Sequence, residues 1–94
     1  MTADLEAGIV RILRPNRSTV GAGFLVSEDG FIATCAHVVA GALGIPEETG
    51  EKPTRTIRLN FPLLGSGGLL TAEVMIWEPE SDVAGLKLLD ESPA

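Results

Sequence analysis

Short apolar runs alternate along the chain with clusters of Gly, Pro and small polar residues. That rhythm predicts strands rather than helices. Six are expected: Gly8–Arg14, Val20–Ser27, Phe31–Cys35, one around Thr56–Phe61, Leu70–Trp77 and Asp82–Leu89. The fourth alternates most cleanly, with Ile57, Leu59 and Phe61 on one face and Thr56, Arg58 and Asn60 on the other. Pro15-Asn16 ends the first strand and Pro79 the fifth. Glu28-Asp29-Gly30 predicts a tight hairpin turn, because Asp and Gly tolerate the positive φ such turns require.

A short helical turn is expected over Ala36–Ala40, closed by Gly41. The polar stretch from Ala42 to Pro53 predicts a solvated loop, and Leu64-Gly65-Ser66-Gly67-Gly68 a flexible turn. The tail Asp90–Ala94 is expected to fray. Heptads, long amphipathic helices and internal repeats are absent from the sequence. Six short antiparallel strands predict an all-β closed barrel, since closure removes exposed strand edges.

Composition sharpens this picture. The 94 residues allow one small domain, with the barrel over about residues 8–89. Thirteen acidic against seven basic side chains give a net charge of −6. That balance argues against a nucleic-acid binder and a polybasic membrane surface, because both need clustered cations to meet phosphates. The single cysteine cannot form an internal disulfide. Met1-Thr2-Ala3-Asp4-Leu5-Glu6 is acidic and is not a secretory signal, and no apolar run approaches the ~20 residues that span a bilayer. A soluble, cytoplasmic chain is expected.

His37 is the one histidine, placed where the third strand gives way to the helical turn. A lone His in a small domain is ordinarily structural, yet strand ends held by a rigid scaffold are where reactive groups concentrate. Asp82 opens the last apolar strand. An Asp there is either a turn residue or the acceptor that orients an imidazole.

Three segments carry a resemblance. Gly21-Ala22-Gly23-Phe24-Leu25-Val26, then Gly30-Phe31-Ile32-Ala33-Thr34-Cys35-Ala36-His37-Val38-Val39, then Asp82-Val83-Ala84-Gly85-Leu86-Lys87-Leu88 resemble, in order, the first half of a trypsin-like serine peptidase. Bacterial members, including the Deg/HtrA type, are especially similar. The resemblance implies the first of that fold's two six-stranded barrels, with a short helical turn after the His. It implies His37 as general base and Asp82 as the group that orients it. It also implies a protein or peptide substrate, no cofactor, and a second barrel in cis or in trans. In the family the nucleophile follows the Asp in a Gly-x-Ser-Gly-Gly segment of that second barrel. No such segment follows Asp82 here, so these 94 residues alone are expected to be inactive.

Ser66 mimics the nucleophile motif by eye. It precedes Asp82, however, and lies in a predicted turn of the first barrel, so it reads as a turn residue. Cys35 invites a Cys–His reading, but the family has a small packing residue there and a free Cys commonly packs as a small hydrophobe. One Cys and one His are too few for a structural zinc, and no metal is expected. Two features depart from the family: Gly85, where a bulkier apolar residue is usual and where Gly marks a bulge or a close backbone approach, and the loosely patterned Leu43–Arg55 excursion. Two other readings stand beside the peptidase: a non-catalytic interaction or sensor module on a peptidase-like barrel, and an unrelated small barrel whose His and Asp are accidental.

Overall fold

The computed structural model of the chain describes residues 8–64 and 68–89. Six strands are present: β1 (Ile9–Leu13), β2 (Thr19–Leu25), β3 (Phe31–Thr34), β4 (Ile57–Asn60), β5 (Leu70–Glu78) and β6 (Val83–Leu88). They close into an antiparallel barrel in the order β1-β2-β3-β6-β5-β4, with β4 returning to β1. The all-β barrel expected from the sequence is therefore the fold. Ser66 and the Asp90–Ala94 tail lie outside the described residues.

Alternation explains the barrel. Val10 and Ile12 of β1, Ile32 of β3, Ile57 and Leu59 of β4, Ala72 and Val74 of β5, and Ala84, Leu86 and Leu88 of β6 point inward and form one buried cluster. No polar or charged side chain is buried among the described residues. The Asp29-Gly30 turn forms as expected: Gly30 has φ 91°, and the Val26 N–H donates to the Phe31 carbonyl at 2.8 Å. Gly85 sits where β5 bulges. Val74 pairs with Leu86 and Ile76 with Gly85, leaving Met75 as the extra residue. A Cβ on Gly85 would stand 3.1 Å from Ile76 Cβ, so this glycine marks both a bulge and a close approach.

The helix differs from expectation. It is α1 (Ala36–Leu43), longer than the predicted turn, and Gly41 lies inside it. Gly44, with φ 69°, ends it, and its N–H donates to the Ala40 carbonyl. Ala42 and Leu43, expected in the solvated loop, are buried helix residues. The reason is tertiary. Val38, Val39, Ala42 and Leu43 place an apolar face on the barrel, which extends the helix past the point where local signals would stop it. Arg55 then donates to the Leu43 carbonyl at 2.9 Å, satisfying a group the helix end leaves free. Trp77 donates to the Thr49 carbonyl at 2.7 Å, so the Leu43–Arg55 excursion is pinned to β5.

Two glycines set how closely α1 approaches the barrel. A Cβ on Gly21 of β2 would lie 2.8 Å from Val38 Cγ2, and a Cβ on Gly41 of α1 would lie 2.8 Å from Val20 Cγ1. Each valine fills the space the opposite glycine leaves. This interlock fixes the helix start, and with it His37.

Candidate active site

Strand β3 ends at Thr34, one residue short of the expected Cys35. The Thr34 hydroxyl donates to the Ala22 carbonyl at 2.9 Å, tying the strand end to β2. Cys35 is the N-cap of α1, with extended φ −99° and ψ 146°, and its side chain makes no capping bond. It is partly buried against the core, as expected of a packing residue. His37 follows in the first helical turn.

A short 3₁₀ turn, Pro79–Ser81, leads into the other residue. Asp82 was expected as the first residue of a strand, but β6 begins at Val83. Asp82 has left-handed geometry, φ 56° and ψ 41°, which no strand residue adopts and which Asp accepts more readily than most residues. Its N–H donates to the Pro79 carbonyl at 3.1 Å. This backbone twist turns the carboxylate toward the helix.

The two predicted residues meet. The backbone N–H of His37 donates to Asp82 Oδ1 at 2.8 Å, and His37 Nδ1 lies 2.7 Å from Asp82 Oδ2. Asp82 thus supplies, from a distant segment, the cap that Cys35 cannot. A carboxylate at a helix N-terminus also meets the favourable end of the peptide dipoles. The His37 backbone N–H, and after it the His37 ring, hold the Asp82 carboxyl below its ordinary range despite some opposing desolvation.

Tautomer follows from these bonds. An ionised carboxylate only accepts, so the proton between the two side chains belongs to Nδ1 of His37. In the neutral ring the free lone pair is then on Nε2. The two side chains are 52% and 50% exposed, so a reacting group can reach that nitrogen. Sequence reasoning singled out both residues. It missed Gly21 and Gly41, whose packing places α1, and no periodicity signal could have shown a clash avoided across two elements.

The fold and this corner can be set against known proteins. A family model described as a trypsin-like peptidase domain matches residues 21–94. The chain belongs to the trypsin-like peptidase family. It is similar to a probable periplasmic serine endoprotease, DegP-like, from Halomonas elongata, with 39% identity over 72 residues. That match takes in 77% of this chain and 12% of the relative, so the chain spans about an eighth of that protein's length. Solved structures agree on the fold. The MamO protease domain from Magnetospirillum magneticum, in its apo form, superposes with a TM-score of 0.67 at 21% identity, covering 96% of this chain and 42% of that one. Rv3671c from Mycobacterium tuberculosis, in an inactive mutant form, gives 0.63 at 26% identity, covering 98% and 38%. Among the described residues no helix is long and apolar enough to cross a membrane.

Proposed function

We propose that this chain is the front barrel of a serine endopeptidase, with His37 as the general base and Asp82 as its orienter. The observation that carries the reading is the paired contact of Asp82 with the ring and the backbone N–H of His37, at 2.7 and 2.8 Å. A serine hydroxyl is a weak nucleophile at neutral pH and must lose its proton as it attacks. Nε2 of His37 can take that proton and return it to the leaving amine. Asp82 holds the ring in the working tautomer and stabilises the imidazolium formed midway.

The serine and the oxyanion hole come from a second barrel, in cis or in trans. An apolar outer surface supports that partner. Phe24 pairs with Ala33, Ala33 with Gly85 and Gly85 with Ile76, making a row across β2, β3, β6 and β5. Phe24 and Ile76 in that row, and Val83 beside Asp82, are 56%, 49% and 44% exposed. A contiguous exposed apolar row of this kind marks an interaction surface. The substrate is a protein or peptide. We also propose a cytoplasmic location, whereas the Halomonas relative is named periplasmic, and cell fractionation decides between them.

A serine-reactive phosphonate applied to the native protein that contains this barrel tests the reading. One serine should be labelled, and His37→Ala should abolish labelling. Labelling at no serine overturns the proposal. The 94 residues by themselves should show no peptide turnover above a His37→Ala control.

A further inference from the structure

The number of potential metal ligands changes once the chain is folded. Cys35 and His37 flank the start of α1, and the β5–β6 connection brings Asp82 to them. The Cys35 thiol, a ring nitrogen of His37 and a carboxylate oxygen of Asp82 lie within 4.8 Å of one another. A tetrahedral ion with bonds of about 2.0–2.3 Å holds its ligands roughly 3.5 Å apart. Contraction by about 1 Å therefore closes the set. The half-exposed His37 and Asp82 side chains have room to make that movement.

We propose that Cys35, His37 and Asp82 form a three-ligand inhibitory site for a zinc-class divalent cation, with the fourth position left to water. The donor set is one sulfur, one nitrogen and one oxygen. It suits a borderline-soft ion, whereas magnesium and calcium demand six or more oxygens. A second feature favours cations here. Glu47, Glu48, Glu78 and Glu80 line a cleft of about 550 Å³ that reaches Ser81, the neighbour of Asp82. Four carboxylates on a chain of net charge −6 raise the local cation concentration.

Binding forms metal–sulfur, metal–nitrogen and metal–oxygen bonds and displaces water from the ion. The Cys35 thiol releases its proton to solvent, and nothing is oxidised or reduced. Nδ1 of His37 gives up its hydrogen bond to Asp82 and takes the ion, and the proton it carried moves through solvent to Nε2, so the ring stays neutral. The site itself stands on geometry. Only its inhibitory consequence rests on the proposed role of His37 as base.

The test is titration of the 94-residue chain, and of the native protein containing it, with Zn²⁺ against a chromophoric chelator and with Co²⁺ followed by absorption. One ion should bind per chain, with a thiolate-to-cobalt charge-transfer band. Cys35→Ser should abolish the band and weaken binding by more than about tenfold, and Asp82→Asn should weaken it by a similar factor. Circular dichroism confirms that both variants fold. Wild-type affinity in Cys35→Ser overturns the proposal. So does affinity lost with Glu47→Gln and Glu80→Gln but kept without the thiol, which would place the ion in the acidic cleft. Peptidase activity should fall with Zn²⁺ and return with EDTA. A native protein that binds the ion as described yet cleaves nothing supports the site and sinks the peptidase reading.

Discussion

In the barrel wall, Ile12, Ile32, Leu59 and Leu86 are almost wholly removed from water and belong to one buried apolar cluster. At the His37–Asp82 corner, half of each side chain is in solvent, and one residue stands in a backbone region that strands never use. The wall gains its stability from area taken out of water, which is non-directional and tolerates exchange between similar volumes. The corner gains little from burial. Its contribution is geometry: two donors of one residue converge on two oxygens of another, and neither can shift without losing a bond. Stability and the proposed chemistry thus fall to different regions of one small barrel, and substitutions should separate them.

The largest effect expected is on the proposed catalysis. In the native protein, His37→Ala should lower kcat by on the order of 10⁴–10⁶-fold, and Asp82→Asn by about 10⁴-fold, through loss of the working tautomer. Both variants should melt near the parent, because Asn still accepts the helix N–H and tolerates left-handed geometry. A drop in kcat that merely tracks lost folded protein would remove the distinction between wall and corner. Leu86→Ala should do the reverse, costing about 2–5 kcal/mol in denaturant unfolding while the folded fraction keeps its activity per molecule.

Gly41→Ala probes the joint between the two regions. Alanine favours a helix interior over glycine by about 1 kcal/mol, yet its Cβ would meet Val20 Cγ1 at 2.8 Å. Overpacking should win, with a net loss of about 1–3 kcal/mol and a larger fractional loss of activity than Leu86→Ala causes. Adding Val20→Ala should recover most of both. Recovery of stability without activity would show that the interlock holds the helix on the barrel but does not aim His37.

The smallest effect concerns pH. Asp82 titrates lower in the folded chain than in the unfolded one, chiefly through the His37 backbone N–H. Its contribution to stability is therefore fully present above the ordinary carboxylate range. It disappears as pH falls through the lower, folded value. The acid limb of stability measured in EDTA should flatten slightly in Asp82→Asn. An unchanged limb would mean the carboxylate is bonded no better in the folded chain than in water.

Much of the barrel is legible in one dimension. Ile57, Leu59 and Phe61 alternate with polar neighbours, Asp29-Gly30 announces its turn, and Gly85 signals the irregularity that β5 then shows opposite it. These are local properties: a side chain's face depends on its own strand, and a turn on two or three dihedral angles. His37 and Asp82 were legible as residue types in an order shared with a family. Their contact was not. It depends on the register of β3 on β6, on a left-handed Asp82 and on the Gly21–Val38 and Gly41–Val20 interlock, none of which any single segment encodes. The helix also ran on to Leu43 because a buried face outweighed the local stop at Gly41. From the sequence alone came the strands, the turn and the candidate residues. Only the tertiary structure made a cap, a tautomer and a third potential metal ligand out of one aspartate, because each of these is a relation between groups far apart in the chain and close in space.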